Sequence, residues 1–163
     1  MSDQRKYAQS TDDLPALDDI LSMTGLEFMQ AVKEGHYPGP PIGKTMGFWP
    51  THVEDGKVIF TGTPTFDVMN PVGTVHGGWY GTVLDSCMAC AIQTKVPKGS
   101  TYTTLEYKVN IIRPIPIGTE VEAIGIVHHA GRSTGIADGE IRGKADGRLY
   151  ATGSTTCIIM KIK

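Results

Sequence analysis

The sequence predicts an α+β domain in which one antiparallel sheet wraps its apolar face around a single long helix. Three observations lead there. Residues 79–94 are apolar almost all round, as in a helix buried on every side. Stretches rich in β-formers precede and follow that segment, with Asp55-Gly56 and Asp146-Gly147 placed as tight connections. A length of 163 residues, 40% of them hydrophobic, suits one core in one domain.

Taken in order, Met1 to Asp13 is polar and reads as a disordered tail. Thr24-Gly25-Leu26-Glu27 has the spacing of a capping box, and Leu26, Phe28, Met29 and Val32 continue it as an apolar stripe that Gly35 can end. Tyr37-Pro38-Gly39-Pro40-Pro41 reads as a linker whose prolines forbid a helix. Residues 1–41 are thus expected as tail, helix and linker before a domain spanning 42–163. Phe48–Val53 and Lys57–Thr63 form a predicted hairpin. The central helix follows over 79–94, with Gly77 and Gly78 before it and Pro97 after it. Thr101–Arg113 alternates, with Leu105, Tyr107, Val109 and Ile111 on one face and Glu106, Lys108 and Asn110 on the other, the pattern of a half-buried strand. Thr119–His129, Ser133–Lys144 and Leu149–Ile162 complete the sheet.

Charge narrows the partners. A formal net charge of −2, with no block of Lys or Arg, argues against nucleic acid or an anionic membrane surface. No run reaches the roughly 18–20 apolar residues of a membrane span, and the N-terminus lacks the basic-then-apolar order of a signal peptide, so a cytoplasmic location is expected. Cys87 and Cys90 match C-x-x-C, yet they lie deep in the apolar segment, where a thiolate is disfavoured. Buried, inert thiols are the better reading. His36, His52, His128 and His129 have no metal-ligand spacing with Cys, Asp or Glu, and no metal or cofactor is expected.

One residue breaks the apolar segment. Asp85 is its only charge, and its neighbours one turn away, Gly81, Thr82, Met88 and Ala89, offer no cation. Desolvation raises such a carboxyl pKa and makes the ionised form a better base or nucleophile. The blander reading is an arginine from another strand, or exposure at a helix edge. Before the helix, Gly77-Gly78 leaves backbone amides open to a ligand carbonyl at the positive end of the dipole, which is how an oxyanion hole is built. By itself the pair reads equally as a tight strand-to-helix entry, and the buried acid two turns on makes it more telling.

Asn70-Pro71-Val72-Gly73-Thr74-Val75-His76-Gly77-Gly78, followed by Leu84-Asp85, resembles the hotdog-fold thioesterases of the phenylacetic-acid-degradation (PaaI-like) group. The resemblance runs from about Ile42 to the C-terminus. It implies a hotdog fold and hydrolysis of an acyl-CoA thioester, aryl or medium-chain fatty, with no cofactor. It assigns Asp85 as general base or nucleophile and the Gly77 amide as the group that polarises the carbonyl. Asn70 would orient water or the leaving group, and His76 would shape the turn or position the acyl group. A hydroxyl residue on the next strand assists in the family. Thr104 matches that place best, although strict alternation puts Thr103 on the Leu105 face. Gly78, Arg113, Arg132, Ser133 and Thr134 are the implied contacts to substrate and coenzyme A. Sites of the family lie between subunits, so a homodimer or homotetramer is implied. The alternative is a hotdog protein that binds acyl-CoA without turnover, and an unpaired buried carboxylate argues against it.

Overall fold

The computed structural model describes residues 6–162. Six strands form one antiparallel sheet: β1 (Phe48–Glu54), β2 (Lys57–Gly62), β3 (Ser100–Ile111), β4 (Val121–Ala130), β5 (Thr134–Gly143) and β6 (Leu149–Lys161). Their order is β1-β2-β4-β5-β6-β3, which leaves β1 and β3 as the edges. Among the described residues four α-helices accompany them: α1 (Leu17–Leu21), α2 (Gly25–Lys33), α3 (Pro41–Met46) and α4 (Gly77–Gln93). The sheet curls around α4, the α+β architecture read from the sequence.

The 17 residues of α4 cross the sheet because little on the helix resists burial. Val83, Leu84, Cys87, Met88, Ala91 and Ile92 are fully buried. Seating is closest at a row of three glycines. Gly125 of β4 pairs with Gly139 of β5, which pairs with Gly153 of β6. A Cβ on Gly125 would run into the Cys87 carbonyl oxygen, and one on Gly139 would lie 2.7 Å from Met88 Cγ. Only glycine lets the helix backbone rest on the sheet at Gly125 and the Met88 side chain lie over Gly139. At the N-terminal end, Trp79 Nε1 donates to the Met46 carbonyl at 2.9 Å, and the Tyr80 hydroxyl accepts from the Ile115 N–H at 2.9 Å. Trp79, Tyr80 and Met88 are therefore core residues first.

The N-terminal segment departs from expectation in two places. The tail expected through Asp13 is ordered from Lys6 onward: the Ala8 N–H donates to the Gly39 carbonyl at 3.0 Å, and Tyr7 packs edge-on against Trp49. Residues 1–5 of that expectation lie outside the described residues. The proline linker ends in a helix, α3, because Pro41 stands at its first position, where no backbone N–H is needed. The Thr24 capping box is present, with Thr24 Oγ1 accepting from the Glu27 N–H and Glu27 accepting from the Thr24 N–H. It lets α2 dock on the end of α4, where the Gly25 N–H donates to the Val96 carbonyl at 2.9 Å.

Candidate active site

The central helix begins two residues earlier than its apolar run because His76 caps it. The His76 Nδ1 accepts from the Gly78 N–H at 2.9 Å, and its carbonyl accepts from the Trp79 N–H at 3.0 Å. Both donors of the first turn beyond Gly77 are thereby occupied. The Gly77 amide is exposed and has no hydrogen-bond partner among the described residues. It is a free donor at the positive end of a 17-residue helix. A Cβ on Gly78 would stand 3.0 Å from His76 Nδ1, so glycine there keeps the cap in place.

Asn70 builds the loop that delivers this turn. Its Oδ1 accepts from the Val72 and Thr74 N–H groups, each at 3.1 Å, and its Nδ2 donates to Thr74 Oγ1 at 2.8 Å. The His76 N–H is in turn fixed on the Val68 carbonyl at 2.8 Å. Asn70, Thr74, Gly77, Tyr80, Ile111 and Arg113 line a shared cavity of about 350 Å³. Nothing in the sequence sets Thr74 or Ile111 apart from ordinary loop and strand residues; the loop closure and the strand register bring them here.

Asp85 lies two turns further along α4, half-buried. Its Oδ1 accepts from the Thr104 hydroxyl at 3.0 Å, and it has no ion pair among the described residues. Burial raises its pKa above the ordinary carboxylate value, and the Thr104 hydrogen bond partly offsets that rise. Neither an arginine from another strand nor full exposure accounts for this carboxylate.

The partner is Thr104, not Thr103, and a β-bulge explains why. Between Thr104 and Glu106 the β3–β6 register shifts, leaving Leu105 as an extra residue. Thr104 pairs with Cys157 and faces α4. Beyond the bulge, Tyr107 and Ile111 approach α4 at Gly81 and Gly77. The half-buried face expected from alternation is corrected accordingly: Leu105 is 61% exposed and Tyr107 47%.

The remaining expected contacts divide between two places. Arg113 shares the cavity with Gly77 and Asn70. Arg132 and Ser133 lie in the β4–β5 turn and Thr134 opens β5, near the far end of α4, where Gly135 packs against Ile92. Gly135 pairs with Cys157, and Cys157 with Thr104, so the turn lies two strands from Thr104, about 10 Å. Arg113 and Arg132 have no carboxylate partner among the described residues, whereas Arg142 and Arg148 are paired with Glu140 and Asp146.

Cys87 and Cys90 are both pushed up by burial, Cys90 to about 12, and neither can ionise near neutrality. Among the described residues there is no cluster of metal-ligating side chains, and no helix is long and apolar enough to cross a membrane.

Residues 72–150 match the family model of the thioesterase superfamily. A candidate esterase of Caenorhabditis elegans is 30% identical over 108 residues, 66% of this chain and 63% of that protein. Acyl-coenzyme A thioesterase 13 of Mus musculus is 26% identical over 87 residues, 53% of this chain and 61% of that protein. The chain thus spans just under two thirds of the length of these two relatives. A solved structure from Ralstonia eutropha, a candidate thioesterase described as a phenylacetic acid degradation-related protein, superposes with a TM-score of 0.73 at 27% identity. It covers 80% of this chain and 98% of that one.

Proposed function

We propose that the chain, which matches the thioesterase superfamily model over residues 72–150 and shares the hotdog fold of the Ralstonia eutropha structure, hydrolyses an acyl-coenzyme A thioester, aryl or medium-chain fatty, to the free acid and coenzyme A. The observation that carries this reading is Asp85: a half-buried carboxylate with a raised pKa, oriented by one hydroxyl and lacking a cationic partner. The activity of mouse acyl-coenzyme A thioesterase 13, as its name states it, supports the substrate class.

The carbonyl oxygen accepts from the Gly77 N–H, which stabilises charge developing on it. Asp85 either takes a proton from an attacking water or attacks the carbonyl carbon itself. In the first case the water oxygen bonds the acyl carbon, the C–S bond breaks, and the proton held by Asp85 passes to the departing sulfur. In the second the C–S bond breaks as the Asp85 oxygen bonds the acyl carbon, so an anhydride forms and the coenzyme A thiolate leaves. Water then hydrolyses the anhydride, restoring the Asp85 carboxylate, and the proton released goes to the thiolate. Arg113 or Arg132 would meet the phosphates, and Gly78, Ser133 and Thr134 the rest of the coenzyme.

One chain cannot complete this site. Gly77 and Asp85 are eight residues apart on one helix, about 12 Å along its axis, too far to act on one carbonyl. A second copy with its α4 running alongside in the opposite direction would bring one chain's Gly77 to the other's Asp85. The open edge of β3, with exposed Leu105, Tyr107 and Ile111, supports such pairing. We therefore place the sites between subunits of a homodimer, or of a homotetramer built from two.

The test is coenzyme A release by Asp85→Asn. Turnover should fall by about a thousandfold or more while KM stays near the wild-type value, as for a group acting only in the chemical step. Near-native kcat in the variant would remove Asp85 from the chemistry. A wild-type protein that binds acyl-CoA yet releases no coenzyme A would make it a binder only.

A further inference from the structure

Between the N-terminal segment and the sheet lies an apolar cavity of about 280 Å³. One side of it is made by Phe60 of β2, Ser86 and Cys90 of α4 and Tyr102 of β3. The other is made by residues before β1, among them Leu14, Phe28, Met29 and Val32. Ser86 follows Asp85 directly in α4, and Tyr102 precedes Thr104 by one two-residue step of β3, about 7 Å. The cavity wall thus includes the chain neighbours of the Asp85–Thr104 pair.

A thioester held at Asp85 has two very different ends. The coenzyme carries charged phosphates and stays in water. The acyl tail is apolar and gains by leaving it. We propose that this cavity receives the tail, and that the segment before β1, α2 above all, sets how large a tail fits. The proposal rests on the thioester reading given above and adds where specificity resides.

Size and rigidity both support it. The volume is about twice that of the roughly 150 Å³ apolar cavity that holds one benzene, which suits a tail with the bulk of about ten carbons. The covering segment is fastened at both ends. Gly25 is held on the Val96 carbonyl at 2.9 Å, and the Tyr7 hydroxyl donates to the Phe48 carbonyl at 3.0 Å. A wall held in this way can measure a chain, where a loose flap would yield to it.

The experiment uses thioethers, which have no carbonyl to hydrolyse: S-decyl-CoA, S-(4-phenylbutyl)-CoA and S-ethyl-CoA, with binding followed by calorimetry. Val32→Phe fills the cavity from α2, and Phe28→Ala enlarges it. Excluding one methylene weakens binding about fourfold, so two or three cost roughly 15- to 60-fold. Val32→Phe should raise Kd for S-decyl-CoA by that amount and leave S-ethyl-CoA within twofold. Phe28→Ala should tighten binding of a tail longer than decyl. The larger loss between the decyl and phenylbutyl arms tells an alkyl tail from an aryl one. If Val32→Phe leaves both long arms unchanged, or weakens S-ethyl-CoA equally, or if Phe28→Ala has no effect on longer tails, the tail lies elsewhere. Hydrolysis by the wild type is scored separately. Coenzyme A release with cavity-insensitive binding sinks this proposal and keeps the thioesterase. Cavity-sensitive binding without release does the reverse.

Discussion

Helix α4 meets the sheet in two ways. Over β4, β5 and β6 it lies on the Gly125–Gly139–Gly153 row, with helix backbone against Gly125 and the Leu84 and Met88 side chains against Gly139 and Gly153. Over β3 the strand is bulged at Leu105 and presents large side chains, and there the helix keeps a half-buried carboxylate against a hydroxyl. The same helix is thus fixed along one side and available along the other. Rigidity on the glycine side is what allows an uncompensated charge on the other, because the cost of Asp85 falls on a helix that has no alternative seat.

This contrast can be broken most severely by one methyl group. Gly125→Ala should destabilise by about 3 kcal/mol or more, since the obstacle is the Cys87 carbonyl rather than a side chain that can swing aside. Thermal unfolding should fall by roughly 6–12 °C. The same change at Gly81 is the control: its Cβ would rest 3.4 Å from the exposed Tyr107 ring, an ordinary contact, and alanine favours the helix. If Gly81→Ala costs as much as Gly125→Ala, the two sides are packed alike.

Next in size is Thr104→Val. A hydrogen bond to a charged group contributes roughly 1.5–3 kcal/mol, part of it spent on orientation. We expect kcat to drop about tenfold with KM little changed. The acid limb of the pH profile should move upward, because the lost bond was holding the Asp85 pKa down. Thr104→Ser should recover most of both effects; failure to recover would mean that Thr104 serves packing alone.

The smallest effect concerns stability. Asp85 has a folded pKa above its unfolded one, so the neutral form favours the fold at low pH and that contribution is lost as pH rises through the folded value. At pH 7 the ionised group destabilises, and Asp85→Asn should raise the melting temperature by about 1–3 °C, a figure kept low because solvent screens a half-exposed group. The gain should vanish below about pH 4, where the wild type is protonated as well. Equal melting temperatures at pH 7 would show that the carboxylate is fully compensated.

Much of this was legible in the chain. α4 announces itself as an apolar run with one charge, and that charge is the candidate acid. The Gly77-Gly78 turn gained its meaning from the dipole argument only when coupled to the buried acid two turns on. Other features needed the fold. A bulge inserts a residue without leaving a mark in composition, so alternation assigned the wrong face around Leu105. Pro41 reads as a helix breaker until its position is known. Gly125, Gly139 and Gly153 sit on three strands and look like weak strand residues, because only register aligns them. The cavity beside Asp85 depends on an N-terminal segment folding back, which no local pattern records.

The glycine row also bears on how such a protein can change over generations. At Gly125 the height of α4 is set by main-chain atoms, which every substitution shares, while at Gly139 and Gly153 the Leu84 and Met88 side chains take the space that a Cβ would fill. Core residues other than Leu84 and Met88 can then drift in identity while the carboxylate keeps its address above β3. A fold indexed in this way can part company with its relatives in most of its sequence and still hand the same reacting group to whatever pocket the N-terminal segment encloses.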